Sequence, residues 1–175
     1  MKGLVCEAPD LPLNLFLAGG ITGCDDWQSE IIELAKTSDD FNNVIIYNPR
    51  RASFDVSNIN ESNKQIKWEF FMLERMDVFS MYFDGSSSLQ PICLYELGRN
   101  IERMRSRFPD DFAERIVITC DKGYSRCMDV VHQVSLATNG CVSVNIVDED
   151  SVKVHYNNIA SVINKIRQKY LLTIN

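Results

Sequence analysis

The chain has 175 residues, of which 45% are hydrophobic, and a formal net charge of −6. This length and apolar content predict one domain over residues 1–175 with a buried core. The negative charge argues against binding to a nucleic-acid polymer, which depends on Lys and Arg. The basic residues on one predicted helix are interpreted as a solvated face: Arg99, Arg103, Arg105 and Arg107. We therefore expect a small-molecule ligand.

The sequence gives little indication of a membrane-spanning helix, a disulfide framework or a metal site. No stretch approaches the ~20 apolar residues that a membrane-spanning helix needs, and the N-terminus lacks the apolar core of a secretory signal. We therefore expect a cytoplasmic protein with no membrane partner. None of the six cysteines is spaced as C-x-x-C, which favours free thiols. His132 and His155 lack ligand-like spacing to other side chains, so we expect no metal.

Apolar runs alternate with amphipathic stretches along the whole chain. This alternation predicts an α/β fold, a three-layer sandwich of the flavodoxin or Rossmann-like type with a five-stranded, mostly parallel sheet and helices on both faces. The predicted strands are residues 14–18, 43–47, 78–83, 115–119 and 141–146. The predicted helices are residues 26–37, 62–76, 91–108, 126–138 and 158–171.

Small residues follow the first predicted strand. Gly19, Gly20 and Gly23 either form a tight turn or let a ligand approach the backbone. Asp26 stands where it can cap the first helix. Trp27 is interpreted as a core residue, with an aromatic wall of a ligand site as the alternative.

The second strand ends at Asn48 and Pro49, and Arg50 either reaches a pocket mouth or points to solvent. Residues 52–61 lack apolar periodicity and are predicted to form a loop beside a site. Ser62 stands three residues before Gln65, which is typical of a capping box. An apolar stripe follows and is predicted to pack on the sheet: Ile66, Phe70, Leu73 and Met76.

The third strand runs into a serine-rich loop, and a helix begins at Pro91 with Glu96 inside it. Sites of open α/β sheets form beyond the carboxyl ends of the strands. Glu96 is therefore the main candidate for a catalytic residue, with an ordinary surface residue of the helix as the alternative. Asp84 and Ser88 lie in the loop, where serines at a helix N-terminus favour a phosphate, with a polar surface loop as the alternative.

Five blocks occur in a specific order along the chain: 15–22, 26–28, 48–51, 65–69 and 91–98. Their sequences are LFLAGGIT, DWQ, NPRR, QIKWE and PICLYELG. Together they resemble the nucleoside 2-deoxyribosyltransferase-like family over residues 15–134. The ordered series is far more specific than any single block.

The resemblance implies a catalytic mechanism. Glu96 attacks the anomeric carbon, the base leaves, and a second base or water takes the sugar. Glu69 stands where the family has an aspartate near the sugar and base, and Glu69 or Asp84 supplies or removes the proton on the leaving base. The resemblance also implies a homo-oligomer and no cofactor.

The resemblance also places residues in the substrate site. Ala18, Gly19 and Gly20 line its sugar end, with Gly20 where a serine is usual, and Trp27 lies near the base. Asp26 and either Asn48 or Arg50 are expected at the ligand. Gln90 replaces an aspartate that holds the base. Asp129 replaces an asparagine, and it either helps to close the site or caps the fourth helix.

These departures leave two alternatives open. The first is a nucleoside 5′-monophosphate N-glycohydrolase whose serine loop, residues 86–88, holds the phosphate. The second is a nucleotide-binding or sensing module without catalytic activity.

Overall fold

The computed structural model describes residues 12–51 and 58–174. These residues build a five-stranded, all-parallel sheet with the strand order β2-β1-β3-β4-β5. The strands are β1 Leu13–Gly19, β2 Val44–Tyr47, β3 Val78–Phe83, β4 Ile116–Asp121 and β5 Val144–Val147. The predicted Rossmann-like α/β sandwich and its flavodoxin-like strand order are confirmed.

Helices cover both faces of this sheet. They are α1 Trp27–Lys36, α2 Ile59–Leu73, α3 Pro91–Arg107, α4 Cys127–Thr138 and α5 Ser151–Ile174, with short 3₁₀ helices at Asp39–Phe41 and Phe112–Arg115. Helices α1 and α5 pack on one face, and α2, α3 and α4 pack on the other. None of the helices within the described ranges is long and apolar enough to cross a membrane.

The central strand β3 explains the near-continuous apolar run at 78–83. All six of its residues are buried, because helices cover both faces of the sheet. Ser80 is the polar exception, and its hydroxyl donates a 3.0 Å hydrogen bond to the Phe16 carbonyl. Gly19 at the end of β1 pairs in register with Tyr82, so β1 and β3 end at nearly the same level.

The loops after β1 and β3 leave in opposite directions, because β1 continues through α1 to β2 while β3 continues through α3 to β4. Such a reversal is where ligand sites of open α/β sheets form. The fold therefore brings the loop at 20–26 and the loop at 84–90 to the same edge of the sheet.

Helix α2 differs from its prediction. It begins at Ile59, and Asn58 caps it by accepting hydrogen bonds from the N–H groups of Asn60 and Glu61, so Ser62 is not the cap and 59–61 are helical. Residues 52–57 of the predicted loop lie outside the described residues.

The apolar stripe predicted on α2 is only partly correct. Leu73 is buried, whereas Ile66 and Phe70 are 62% and 41% exposed. The helix is rotated so that Gln65 faces inward, where its amide finds a backbone partner, and Trp68 packs against the core. Ile66 and Phe70 consequently face the space between α2 and α3.

Helix α5 begins at Ser151, about two turns before the predicted start. Asp150 precedes it with a left-handed φ of +52°, and its carbonyl accepts the first helical hydrogen bond from Val154. The Ser151 hydroxyl is tied to Tyr82 and Asp121, which anchors this first turn to the sheet. Such tertiary contacts are not visible as periodicity in the sequence.

Candidate functional site

Helices α2 and α3 line an open cleft of about 460 Å³ that contains Glu96, hereafter the Glu96 cleft. Its polar lining consists of Thr22, Ser62, Gln65, Glu69, Glu96 and Arg99. Its apolar walls are Ile66, Phe70, Ile92 and Tyr95. A mostly apolar cleft with a few convergent polar groups is the usual form of a small-molecule site.

The position of Glu96 follows from the packing of α3. Pro91 occupies the first turn, and Cys93, Leu97 and Ile101 form the buried face that packs on the sheet. Glu96 lies beside this face and therefore projects toward α2 rather than into bulk water. The predicted placement of an acidic residue just beyond β3 thus agrees with the observed helix.

Two carboxyl groups share the Glu96 cleft. The pKa of Glu96 is raised to about 7, mainly by burial and also by the charge of Glu69, while the charge of Arg99 opposes the rise. Burial also raises the pKa of Glu69, while the hydrogen bond from Gln65 and the charge of Arg51 oppose that rise. The cleft therefore holds one carboxyl group that titrates near neutral pH beside a second one.

Gln65 fixes the orientation of Glu69. Its side chain is 8% exposed, and its amide nitrogen donates hydrogen bonds to the Pro49 carbonyl at 2.8 Å and to Glu69 Oε1 at 2.7 Å. Because both bonds involve the same –NH₂ group, Glu69 is tied to the end of β2. The carboxylate is thereby held in one position on the wall of the cleft.

Arg99 lies on α3, one turn after Glu96. Its guanidinium group lies 4.8 Å from the ring centroid of Phe70 and 5.8 Å from that of Tyr95. These cation–π contacts hold the charge against the apolar walls. The prediction that Arg99 belongs to a solvated basic face is therefore wrong, because the residue lines the cleft.

The residues at the end of β1 pack closely against their neighbours in the core. Gly19 has a φ of +153°, and a Cβ there would lie 2.3 Å from the Tyr82 carbonyl oxygen and 2.6 Å from the Trp27 ring. Trp27 is 1% exposed and donates a 2.9 Å hydrogen bond to the Gly20 carbonyl. Trp27 is thus a core residue, as interpreted, and Ala18 is also buried in the core.

Arg50 stabilises the loop at 20–26 through hydrogen bonds. Its guanidinium donates hydrogen bonds to three backbone carbonyls within residues 21–25 and to the side chain of Gln28. Asp26 pairs with Arg50 at 3.2 Å and caps α1, as predicted. Asn48 accepts a 2.8 Å hydrogen bond from the Arg50 N–H. None of these three residues lines the Glu96 cleft, because Asp26 lines the cleft of Asp84 and Asn48 lines a small cleft beside Pro49.

Gln90 and Ser88 hold the loop before α3. Gln90 is buried, and its side chain forms hydrogen bonds with both backbone groups of Asp84. It accepts from the Asp84 N–H at 3.2 Å and donates to the Asp84 carbonyl at 2.8 Å. Ser88 donates a 3.0 Å hydrogen bond to the Thr22 carbonyl. A phosphate at Ser88 would have to displace this bond, since a phosphate dianion offers only acceptors.

The structure separates two further predicted residues from Glu96. Asp84 lines a second, acidic cleft of about 420 Å³ with Trp27 and Asp121. Asp129 lines a groove between α3 and α4 and forms a 3.0 Å ion pair with Arg126. Asp129 does not cap α4, whose N-cap is Arg126. Among residues 12–51 and 58–174, no group of His, Cys, Asp and Glu is arranged to hold a metal ion.

The sequence patterns do not identify Gln65 and Arg99 as polar residues of the cleft. The spacing from Ser62 predicts a capping role for Gln65, and the basic cluster predicts a solvated charge for Arg99. The available signals were spacings, because Gln65 stands four residues before Glu69 and Arg99 three residues after Glu96, each on the same side of its helix.

Comparison with known families identifies the family of the chain. A family model described as "Nucleoside 2-deoxyribosyltransferase like" matches residues 12–108, more than half of the chain. The match includes β1, β3 and both helices of the Glu96 cleft. No curated protein matches the chain. The chain therefore belongs to the nucleoside 2-deoxyribosyltransferase-like family.

Proposed function

We propose that the protein cleaves the N-glycosidic bond of nucleosides or deoxynucleosides and transfers the sugar to another base or to water, with Glu96 as the nucleophile. Membership of the family supports this class of chemistry. The observation that carries the assignment of Glu96 is its carboxyl group, whose pKa is raised to about 7, beside Glu69 in a cleft with apolar walls.

In the first step, an oxygen of the Glu96 carboxylate forms a bond to the anomeric carbon. The bond from that carbon to the base nitrogen breaks, and its electron pair leaves with the base. A carboxylate with a pKa near 7 is more basic than an ordinary glutamate and poorly solvated, and both properties favour attack.

In the second step, Glu69 acts as the base. It lies beside Glu96 in the cleft, and its charge raises the pKa of Glu96. It removes a proton from the incoming base or water, which then attacks the anomeric carbon and releases Glu96 as a carboxylate. Asp84 lines the other cleft, which favours Glu69 over Asp84 for this role.

The walls of the cleft fit a flat, partly apolar ligand. Ile66, Phe70, Ile92 and Tyr95 offer the surface on which a nucleobase packs. The hydroxyl of Ser88 already donates to Thr22, which supports a nucleoside over a 5′-monophosphate as the substrate.

Product chromatography tests the proposal. The protein is incubated with each of the four common 2′-deoxynucleosides, with and without a second free base. We expect release or exchange of the base by the wild type and a loss of several orders of magnitude in Glu96→Gln. Glu102→Gln is the matched control, because Glu102 lies on the same helix in an exposed pair with Arg105. Thermal stabilisation by nucleosides without any free base would instead indicate a binding module.

A further inference from the structure

Four buried side-chain atoms of the described residues have no hydrogen-bond partner: Gln65 Oε1, Arg99 Nε, His155 Nε2 and Asn158 Nδ2. Gln65 and Arg99 both line the Glu96 cleft, whereas His155 and Asn158 lie on α5, on the opposite face of the sheet. A buried polar group without a partner costs roughly 1–3 kcal/mol, and native proteins leave few of them. Two such atoms in one cleft indicate a ligand that satisfies both.

The existing contacts of Gln65 determine which kind of group its unpartnered atom requires. The amide nitrogen contacts the Pro49 carbonyl and Glu69 Oε1, and both of these are acceptors. The nitrogen must therefore face them, and the unpartnered atom is the amide oxygen. This oxygen requires a hydrogen-bond donor.

Arg99 presents the opposite requirement. Its Nε–H is a donor, and the aromatic rings of Phe70 and Tyr95 hold the guanidinium without accepting this bond. Arg99 makes no ion pair within 4.0 Å to Glu69 or Glu96 in the described part of the chain. The missing partner is therefore an acceptor, and a bond from a guanidinium to it is charge-assisted.

We propose that Gln65 and Arg99 recognise the two halves of a nucleoside. Gln65 Oε1 accepts a hydrogen bond from the 3′ hydroxyl, the hydroxyl that the ring of a 2′-deoxynucleoside retains. Arg99 Nε donates to the acceptor next to the glycosidic nitrogen, which is N3 in purines and O2 in pyrimidines. This inference rests on the proposed function and names the groups that determine its substrate.

The positions of Gln65 and Arg99 in the cleft indicate which of them contacts the sugar and which contacts the base. The anomeric carbon must contact Glu96, and Gln65 is bonded to Glu69, the carboxylate whose charge acts on Glu96. Of the two hydroxyls of a 2′-deoxynucleoside, the 3′ hydroxyl is attached directly to the ring that contains the anomeric carbon, whereas the 5′ hydroxyl is attached through an additional CH₂ group. Arg99 lies against the aromatic walls, where the flat base packs.

Arg99 would also promote departure of the base. When the glycosidic bond breaks, its electron pair delocalises onto N3 or O2, and the hydrogen bond from Arg99 strengthens as this charge develops. The guanidinium keeps its proton, and the base leaves as an anion that takes a proton from solvent. No protonated carboxyl group is then required in the first step.

Binding of matched analogues by calorimetry tests the inference. The ligands are 2′-deoxyadenosine, its 3-deaza analogue without N3, and 2′,3′-dideoxyadenosine without the 3′ hydroxyl, together with thymidine, 2-thiothymidine and 3′-deoxythymidine. The proteins are the wild type, Gln65→Met and Arg99→Met. The controls are Gln133→Met, at an exposed position of α4, and Arg126→Met, at the exposed N-cap of that helix. Circular dichroism establishes that each variant is folded.

We expect the wild type to bind each analogue roughly tenfold or more weakly than its parent. Arg99→Met should lose only the discrimination at the base, and Gln65→Met only the discrimination at the sugar. Equal weakening of all ligands, as from a structural defect or from atoms satisfied by water alone, would overturn the inference but not the proposed function. Failure of the wild type to bind any nucleoside would overturn both.

Discussion

Gly20 and Gln90 occupy complementary space. A Cβ at Gly20 would lie 2.5 Å from the side-chain oxygen of Gln90, the same oxygen that accepts the Asp84 N–H. The family resemblance implies that a serine usually stands at the position of Gly20 and an aspartate at the position of Gln90. The two departures from the family pattern therefore touch each other, and the glycine makes room for the longer amide.

We predict that Gly20→Ser and Gln90→Asp are coupled. Each substitution alone should lower the free energy of unfolding by about 1–3 kcal/mol, the first through a clash and the second through lost buried hydrogen bonds. The double variant should lose at least about 1 kcal/mol less than the sum, because the shorter side chain relieves part of the clash. Urea denaturation of all four proteins measures the coupling.

Gly98→Ala is the control for the first substitution. A Cβ at Gly98 would meet nothing within 4 Å, and the residue lies inside α3. This variant should gain roughly 0.5–1 kcal/mol from the higher helix propensity of alanine. Strictly additive losses in the Gly20 and Gln90 series would show that the two side chains do not compete for space.

A second prediction is that Arg50 stabilises the loop at 20–26 and does not contact the ligand. Arg50→Lys keeps the charge but loses the fork that bonds three carbonyls of the loop at 21–25. We expect about 1–3 kcal/mol lower stability with an unchanged KM for the folded protein, measured by urea denaturation and steady-state kinetics. Arg126→Lys, in an exposed pair with Asp129, should cost less than about 1 kcal/mol. A KM effect without a stability loss would place Arg50 at the ligand instead.

A third prediction links the Glu96 carboxyl group to stability. Its pKa is raised from 4.5 to about 7, so folding favours the protonated form and its contribution is lost as pH rises through this range. Glu96→Gln cannot ionise. Its stability relative to the wild type should therefore increase by about 2–3 kcal/mol between pH 5 and pH 8.

Chemical denaturation at several pH values measures this difference, with Glu102→Gln as the exposed control. A stability difference that stays constant from pH 5 to pH 8 would mean that Glu96 titrates as an ordinary surface glutamate. The proposed nucleophile would then lack its raised pKa.

A fourth prediction is the direction of the pH–rate profile. If Glu96 attacks as a carboxylate, kcat/KM rises with pH and levels off above about 7, where the group is ionised. Glu69→Gln removes a charge that raises this pKa, so the rising limb should move to lower pH. A rate that falls through pH 7 would instead assign Glu96 as a general acid.

The sequence was sufficient to predict the sheet and to place Glu96 on the helix that follows its central strand. Short apolar runs such as 78–83 are characteristic of buried parallel strands, and Glu96 follows the central one. The rotation of α2 could not be predicted, because a buried Gln65 is stable there only through the Pro49 carbonyl. The structural role of Gln90 likewise depends on the Asp84 backbone, which becomes a neighbour only after folding.

The covalent role of Glu96 is the central claim, and intact mass with peptide mapping tests it most directly. The protein is incubated with a 2′-deoxy-2′-fluoroarabinosyl nucleoside, whose fluorine slows release of the sugar from the enzyme. We predict one added sugar, mapped to Glu96 in the wild type and in Glu102→Gln and absent in Glu96→Ala. An adduct on Glu69, or unchanged turnover of the natural nucleoside by folded Glu96→Ala, would contradict the account.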